Sequence, residues 1–128
     1  MPIISKVDHE RHEIQAIAVG PVGYSDVEDH ILQQRRSVSL SYREFLDGRG
    51  AGPRFSPAEV RQIVELLRNL SRESPLGRTA VLVSSDYAFG LMRMFEMLLE
   101  DVFEFRVFRD EREAHAWLAG NAARGQST

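Results

Sequence analysis

The sequence contains no cysteine, and this absence excludes several kinds of chemistry at once. Disulfides, thiolate nucleophiles, iron–sulfur clusters and cysteine-ligated zinc sites all need that residue. Lysine is almost as scarce, because Lys6 is the only lysine among 16 basic residues, and the net charge is −3. His9 and His12 could suggest a metal site, but no third fixed ligand lies beside them. The absence of cysteine and of a third ligand leads us to expect no metal and no cofactor. The negative net charge argues against binding to nucleic-acid phosphates, so we expect no nucleic-acid partner.

Long hydrophobic runs are also missing. The most apolar stretch, around Leu91–Leu99, is interrupted by Arg93 and Glu96, so the sequence predicts no membrane span. Residues 1–6 have neither the basic region nor the apolar core of a secretory signal. We therefore expect a cytoplasmic location.

What the chain does have is the composition of one globular domain. It has 128 residues, of which 43% are hydrophobic and 27% charged, and this balance favours a folded core over disorder. We expect a single domain over residues 1–119 and a flexible C-terminal tail over residues 120–128.

The first half of the chain predicts three strands. Ile3–Asp8 and His12–Val19 form a hairpin, and both faces of the second run are apolar, which is typical of a strand covered on both sides. Gly20-Pro21-Val22-Gly23 is expected to break the chain. A third strand is expected at Tyr42–Leu46. The glycine-rich segment 48–52 lacks the spacing of a phosphate-binding loop and predicts a flexible turn.

Capping boxes predict where three helices begin, at Ser25–Glu28, Ser56–Glu59 and Asp110–Glu113. In the first of these helices, Val27, Ile31 and Leu32 are expected to face the core, and His30 the solvent. Thr79–Val83 and Glu104–Phe108 complete the strands, and Tyr87–Glu100 adds a helix. The order ββαβαβαβα predicts an α/β fold. Its five-stranded, mostly parallel sheet has an antiparallel first strand at an edge and helices on both faces.

Four segments resemble the SpoIIAA-like branch of the STAS superfamily. They are the hairpin ending in Gly20-Pro21-Val22, the strand ending in Phe45–Arg49, the segment Ala80–Phe95 and the segment Val107–Leu118. The resemblance implies a domain without enzymatic activity that is used in phosphorylation-controlled partner binding or in holding small or lipid-like ligands.

One departure from this family concerns its phosphorylation site. Antagonist STAS proteins carry a phosphorylatable serine followed by glycine after the third strand, where this sequence has Ser56-Pro57. Ser56 is also the expected helix cap. Ser56 and Ser85 are the candidate phosphorylation sites, because a phosphate at a helix N-terminus is electrostatically favourable.

Polar residues follow the predicted parallel strands, at the edge where ligands bind in open α/β sheets. They suggest a site for a carboxylate or phosphate, and the alternative is that they are helix caps and solvated side chains. The candidates are Asp47, Arg49, Ser84, Ser85, Asp86 and Arg109.

The helix Tyr87–Glu100 is unusually apolar. Its core-facing side is expected to carry Ala88, Leu91, Met92, Phe95, Leu98 and Leu99. A further apolar surface, for a second subunit or an apolar ligand, is formed by Phe89, Met92, Met94 and Met97.

We expect a homodimeric domain for protein–protein interaction or regulation. The alternative is a carrier of a small or lipid-like molecule, with an apolar pocket beside this helix and Ser84, Ser85 or an arginine near its mouth. No spacing brings a base and a nucleophile together, so we expect no enzyme.

Overall fold

The computed structural model of the protein describes residues 2–120. The predicted tail therefore lies outside the described residues, apart from Gly120. Five strands and four helices alternate as predicted: β1 Ile3–Asp8, β2 Glu13–Val22, α1 Tyr24–Arg36, β3 Arg43–Pro53, α2 Pro57–Ser71, β4 Thr79–Leu82, α3 Asp86–Leu98, β5 Phe105–Phe108 and α4 Glu111–Leu118.

The strands form one sheet in the order β1-β2-β3-β4-β5. Strand β1 lies at the edge and pairs antiparallel with β2, whereas every other pairing is parallel. Each parallel connection carries one helix, which is the arrangement that right-handed crossovers produce. The predicted α/β fold with an antiparallel edge strand is confirmed.

The two faces of the sheet carry separate cores. On the first face, apolar side chains of the sheet pack beneath α1, α2 and α3. On the second face, Phe45, Leu82 and Phe108 pack against Trp117 and Leu118 of α4. Burial of these side chains from water stabilises both layers. Helices therefore cover both faces, as predicted.

Within residues 2–120 no helix covers the second face of β2, and there the prediction is wrong. Ile17 and Val19 are exposed, together with Ile4 on the neighbouring edge strand. The physical reason is that α4 is the one helix that the structure describes on this face, and it contacts mainly β3, β4 and β5. One helix is about 10–12 Å across, whereas five strands about 4.8 Å apart span about 19 Å, so a single helix leaves part of this face uncovered.

Strands β2 and β3 both extend beyond their predicted ends. Residues 19–22 of β2 pair with residues 50–53 of β3 after a local shift in register. The expected chain break at Gly20-Pro21 and the expected flexible turn at residues 48–52 are therefore both wrong. Pro21 is tolerated because hydrogen bonding on the β1 side of β2 ends at the Val19 amide, which donates to the Pro2 carbonyl, and beyond it β2 pairs with β3 only.

The caps of the helices agree with the sequence in three cases. Ser56, Ser85 and Asp110 each accept a hydrogen bond from the backbone amide three residues on. The N-cap of the first helix lies two residues before the predicted one. Gly23 is its N-cap, and its amide donates to Asp26, so the box predicted at Ser25 is wrong.

The C-terminus of α1 closes in an unusual way. The amide of Val38 donates to the Arg35 carbonyl and the amide of Ser39 donates to the Gln34 carbonyl, which is the Schellman pattern. The position that normally holds glycine is occupied by Val38, at φ 56°. A β-branched residue is strained in this region. The turn fixes Gln34 and directs the chain back toward β3.

Candidate functional site

A cavity of about 160 Å³ lies between the first face of the sheet and helices α1, α2 and α3. Its wall is almost entirely apolar, and it is partly open to solvent. Voids larger than a water molecule are rare in protein interiors, so a space of this size is a candidate binding site. It lies beside α3, where the sequence placed the pocket of a carrier.

Small residues on the sheet explain why this space exists. Ala16 and Ala18 of β2 are buried and point toward the helices, and Gly48 and Ala51 of β3 lie next to them. Helix α1 faces this part of the sheet. Because these side chains are short, the helix layer and the sheet leave a gap that larger residues would fill.

Three buried polar side chains form the polar part of the cavity wall. His30 and Gln34 lie one turn apart on α1, and Glu44 lies on β3. They are only 8%, 8% and 6% exposed. His30 Nε2 lies 2.8 Å from Glu44 Oε2, and the Gln34 amide donates to Glu44 Oε1 at 2.7 Å. We call these three residues the polar cluster.

The ion pair in the polar cluster determines where the imidazole proton lies. His30 Nε2 also lies 2.7 Å from the Gln34 amide nitrogen, and one ring nitrogen cannot both donate to Glu44 and accept from Gln34. Burial acts to lower the pKa of His30, but the hydrogen bond and the charge of Glu44 outweigh it, so this pKa is raised. A protonated His30 ring donates from Nε2 to Glu44, and the raised pKa favours this protonated state.

Sequence reasoning missed the polar cluster and placed His30 toward solvent, which is wrong. A signal was present, since residues 27, 30, 31 and 34 form one face of a helix at the expected spacing. Glu44 likewise shares its face of β3 with Leu46, because strand side chains alternate. The type of its side chain placed His30 toward solvent, although its position in the periodicity assigns it to the core.

The carboxyl edge of the parallel strands brings several of the predicted anion-binding residues together. Arg49 donates to Asp47 at 3.0 and 2.8 Å and lies 3.4 Å from Glu111. These hydrogen bonds hold the pKa of the Asp47 carboxyl below its usual range. Ser84 donates to the backbone carbonyl of Arg49.

Arg109, the other basic candidate, also forms an ion pair with a carboxylate. Arg109 lies 2.8 Å from Asp86 and packs 4.4 Å above the ring of Phe89. Arg49, Arg109, Ser84 and Ser85 do not line the cavity. The expectation that Ser84, Ser85 or an arginine lies near the mouth of the pocket is therefore wrong. The anion site at this edge of the sheet stays a prediction.

The two candidate phosphorylation sites are exposed but act as helix caps. Ser56 accepts from the amide of Glu59, and Ser85 accepts from the amide of Ala88. Phosphorylation of either hydroxyl would compete with the hydrogen bond by which it caps its helix. Phosphorylation at these two serines stays a prediction.

Helix α3 has an outer face that is apolar and exposed. Met94 and Met97 are 41% and 67% exposed, and Tyr87 and Leu98 lie on the same side. Leu98 was expected to face the sheet and does not. Of the other candidates for an interface, Met92 lines the cavity and Phe89 lies half-buried beneath Arg109. We call Tyr87, Met94, Met97 and Leu98 the outer α3 face.

Within residues 2–120, no group of three or more histidine, aspartate or glutamate side chains is arranged to hold a metal ion. None of the helices in this range is long and apolar enough to cross a membrane.

No family model and no curated protein matches the chain by sequence. Solved structures do match it. An uncharacterized DUF3478-family protein with a SpoIIAA-like fold, from Shewanella loihica PV-4, aligns at TM-score 0.62 and 18% identity. The alignment covers 91% of this chain and 93% of that protein.

The anti-sigma factor antagonist SpoIIAA in its unphosphorylated form also aligns, at TM-score 0.55 and 14% identity. This alignment covers 92% of this chain and 98% of SpoIIAA. Identities this low carry information about architecture and not about activity. The strand order, the antiparallel edge strand and these full-length alignments together show that the chain has a SpoIIAA-like fold.

Proposed function

We propose that the protein binds a small apolar molecule in the cavity between the sheet and helices α1, α2 and α3. The observation that carries this proposal is the size of the cavity together with its almost entirely apolar wall. An apolar cavity of about 150 Å³ is large enough to hold benzene. This function is binding rather than catalysis, and it is the carrier alternative that the sequence raised.

The test is a titration with benzene followed by ¹H–¹⁵N NMR. We expect saturable shifts at amides that border the cavity, such as those of Val81 and Ala88. Ala18→Ile places a larger side chain in the cavity, and we expect it to weaken benzene binding at least about tenfold, because the same volume cannot be filled twice.

The matched control is Ile17→Ala, on the same strand but on the exposed face. We expect this variant to bind benzene as the unmodified protein does. The proposal fails if the unmodified protein shows no saturable shifts, or if Ala18→Ile binds as tightly as the control.

We also propose that two copies of the chain associate through the outer α3 face, as in the regulatory homodimer that the sequence suggested. The specific observation is that four large apolar side chains on one side of a single helix are exposed. A two-fold dimer would place the same surface on both subunits and cover both. The likeness to SpoIIAA, an anti-sigma factor antagonist, supports a role in contacts between proteins.

For this second function we expect a dimer by light scattering at about 100 μM, and a monomer for Met97→Asp, because a charge would be buried in the interface. Met97 is 67% exposed, so the change should not disturb the fold. Ile4→Asp, on the uncovered sheet face, is the control and should remain a dimer. A monomeric unmodified protein would refute this association.

A further inference from the structure

We infer that the ligand of this cavity is a compact neutral molecule with a hydroxyl group, and that this hydroxyl binds to the polar cluster formed by His30, Gln34 and Glu44. The inference rests on the proposed function and specifies its ligand class. The hydrophobic part would fill the apolar space, and the hydroxyl would replace water at the one strongly polar part of its wall.

The burial of the polar cluster is the first step. Polar groups removed from water cost free energy unless they are hydrogen-bonded, and here three of them lie at least nine-tenths buried against an apolar space. They satisfy one another from two different elements, α1 and β3. Because all three line the cavity, a molecule that enters it meets preformed donors and acceptors.

The charge of the polar cluster excludes anionic ligands. With His30 protonated, the pair with Glu44 is neutral, and with His30 neutral the cluster carries one negative charge. In neither of these two states does the cluster carry a net positive charge, and none of the residues between 2 and 120 that line the cavity is lysine or arginine. A carboxylate or phosphate would therefore be buried without a compensating cation.

A cationic head group is also disfavoured. Glu44 already accepts from His30 and Gln34, so an added ammonium group would lie beside an imidazolium. A hydroxyl avoids both problems, because it is neutral and can donate to a free lone pair of the Glu44 carboxylate.

The volume of the cavity sets the size of the ligand. About 160 Å³ accommodates a six-membered carbon ring with one substituent. A long acyl chain would need a larger space. The ligand class is therefore a compact alicyclic or aromatic alcohol.

The experiment compares four ligands that share one ring: cyclohexanol, methylcyclohexane, cyclohexanecarboxylate and cyclohexylamine. Binding to the full chain is measured by ¹H–¹⁵N NMR at pH 7. We expect cyclohexanol to bind about tenfold more tightly than each of the other three, as one hydrogen bond to a charged group would give.

Glu44→Gln removes the negative charge of the group that accepts the ligand hydroxyl and keeps a side chain of similar size in the same place. We expect it to reduce the preference for cyclohexanol over methylcyclohexane while methylcyclohexane binds as before. The comparison in the unmodified protein stands by itself if this variant does not fold.

The outcomes separate the two proposals. Equal binding of all four ligands, or a preference for the carboxylate or the amine, would overturn the hydroxyl inference and leave the proposed function intact. If none of the four binds, the proposed function itself is refuted, and the inference with it.

Discussion

Replacing Gly77 by alanine is expected to lower the free energy of unfolding by about 3 kcal/mol or more. A Cβ atom at this position would overlap the carbonyl carbon and oxygen of Tyr42 and lie 2.7 Å from the Ser41 carbonyl oxygen. All of these are backbone atoms, so a side-chain rotation cannot relieve the overlap. The amide of Gly77 also donates to the Leu40 carbonyl at 2.8 Å, which holds the two segments together.

The measurement is urea denaturation followed by circular dichroism, with Gly90→Ala as the matched control. Gly90 lies in α3, is exposed and has no heavy atom near the position of a Cβ. The control should raise stability by about 0.5–1 kcal/mol, since alanine favours a helix interior over glycine. A loss below about 1 kcal/mol for Gly77→Ala would show that the two loop segments do not cross this closely.

The position of Gly77 also bears on the cavity. Gly77 and Tyr42 both line it, at the end of the sheet where the parallel strands begin. Ligand sites in open α/β sheets usually lie at the opposite edge, where the parallel strands end. At that edge this chain has Arg49 and Arg109, each paired with a carboxylate.

Much of the architecture follows from local sequence signals. The capping boxes at Ser56 and Asp110 depend on neighbouring residues only, and the structure confirms both caps. The fold class followed from the alternation of strands and helices. These features need no knowledge of distant contacts.

The errors in the prediction depend on long-range contacts instead. Glycine and proline predicted a chain break after Val19 and a turn after Asp47, yet the two segments extend because they pair with each other. His30 was assigned to solvent by its type, although its partner Glu44 lies 14 residues away on a strand. The cavity likewise requires short side chains on one layer to face a helix of another, and no single segment encodes that.

Replacing Glu44 by alanine is expected to destabilise the protein by about 3 kcal/mol near pH 6, because it leaves the buried His30 without its charged partner. Gln34 loses its acceptor in the same substitution. The control is Glu73→Ala, which breaks an exposed ion pair with Arg35. Arg35 lies on the same helix as His30. Exposed ion pairs contribute little, so the control should change stability by less than about 1 kcal/mol.

The cost of Glu44→Ala should depend on pH with a definite sign. The pKa of His30 is raised in the folded protein, so the stability that the pair provides is fully present below the unfolded value of about 6.5. That stability is lost as the pH rises through the folded pKa. In the variant only burial acts on His30, which lowers its pKa, so the variant gains stability as the pH rises toward 7.

Urea denaturation at pH 6 and pH 9 should therefore show a smaller difference in stability between the unmodified protein and Glu44→Ala at pH 9. A difference that is the same at both pH values would mean that His30 is uncharged in the folded protein, and that the polar cluster carries the charge of Glu44 alone.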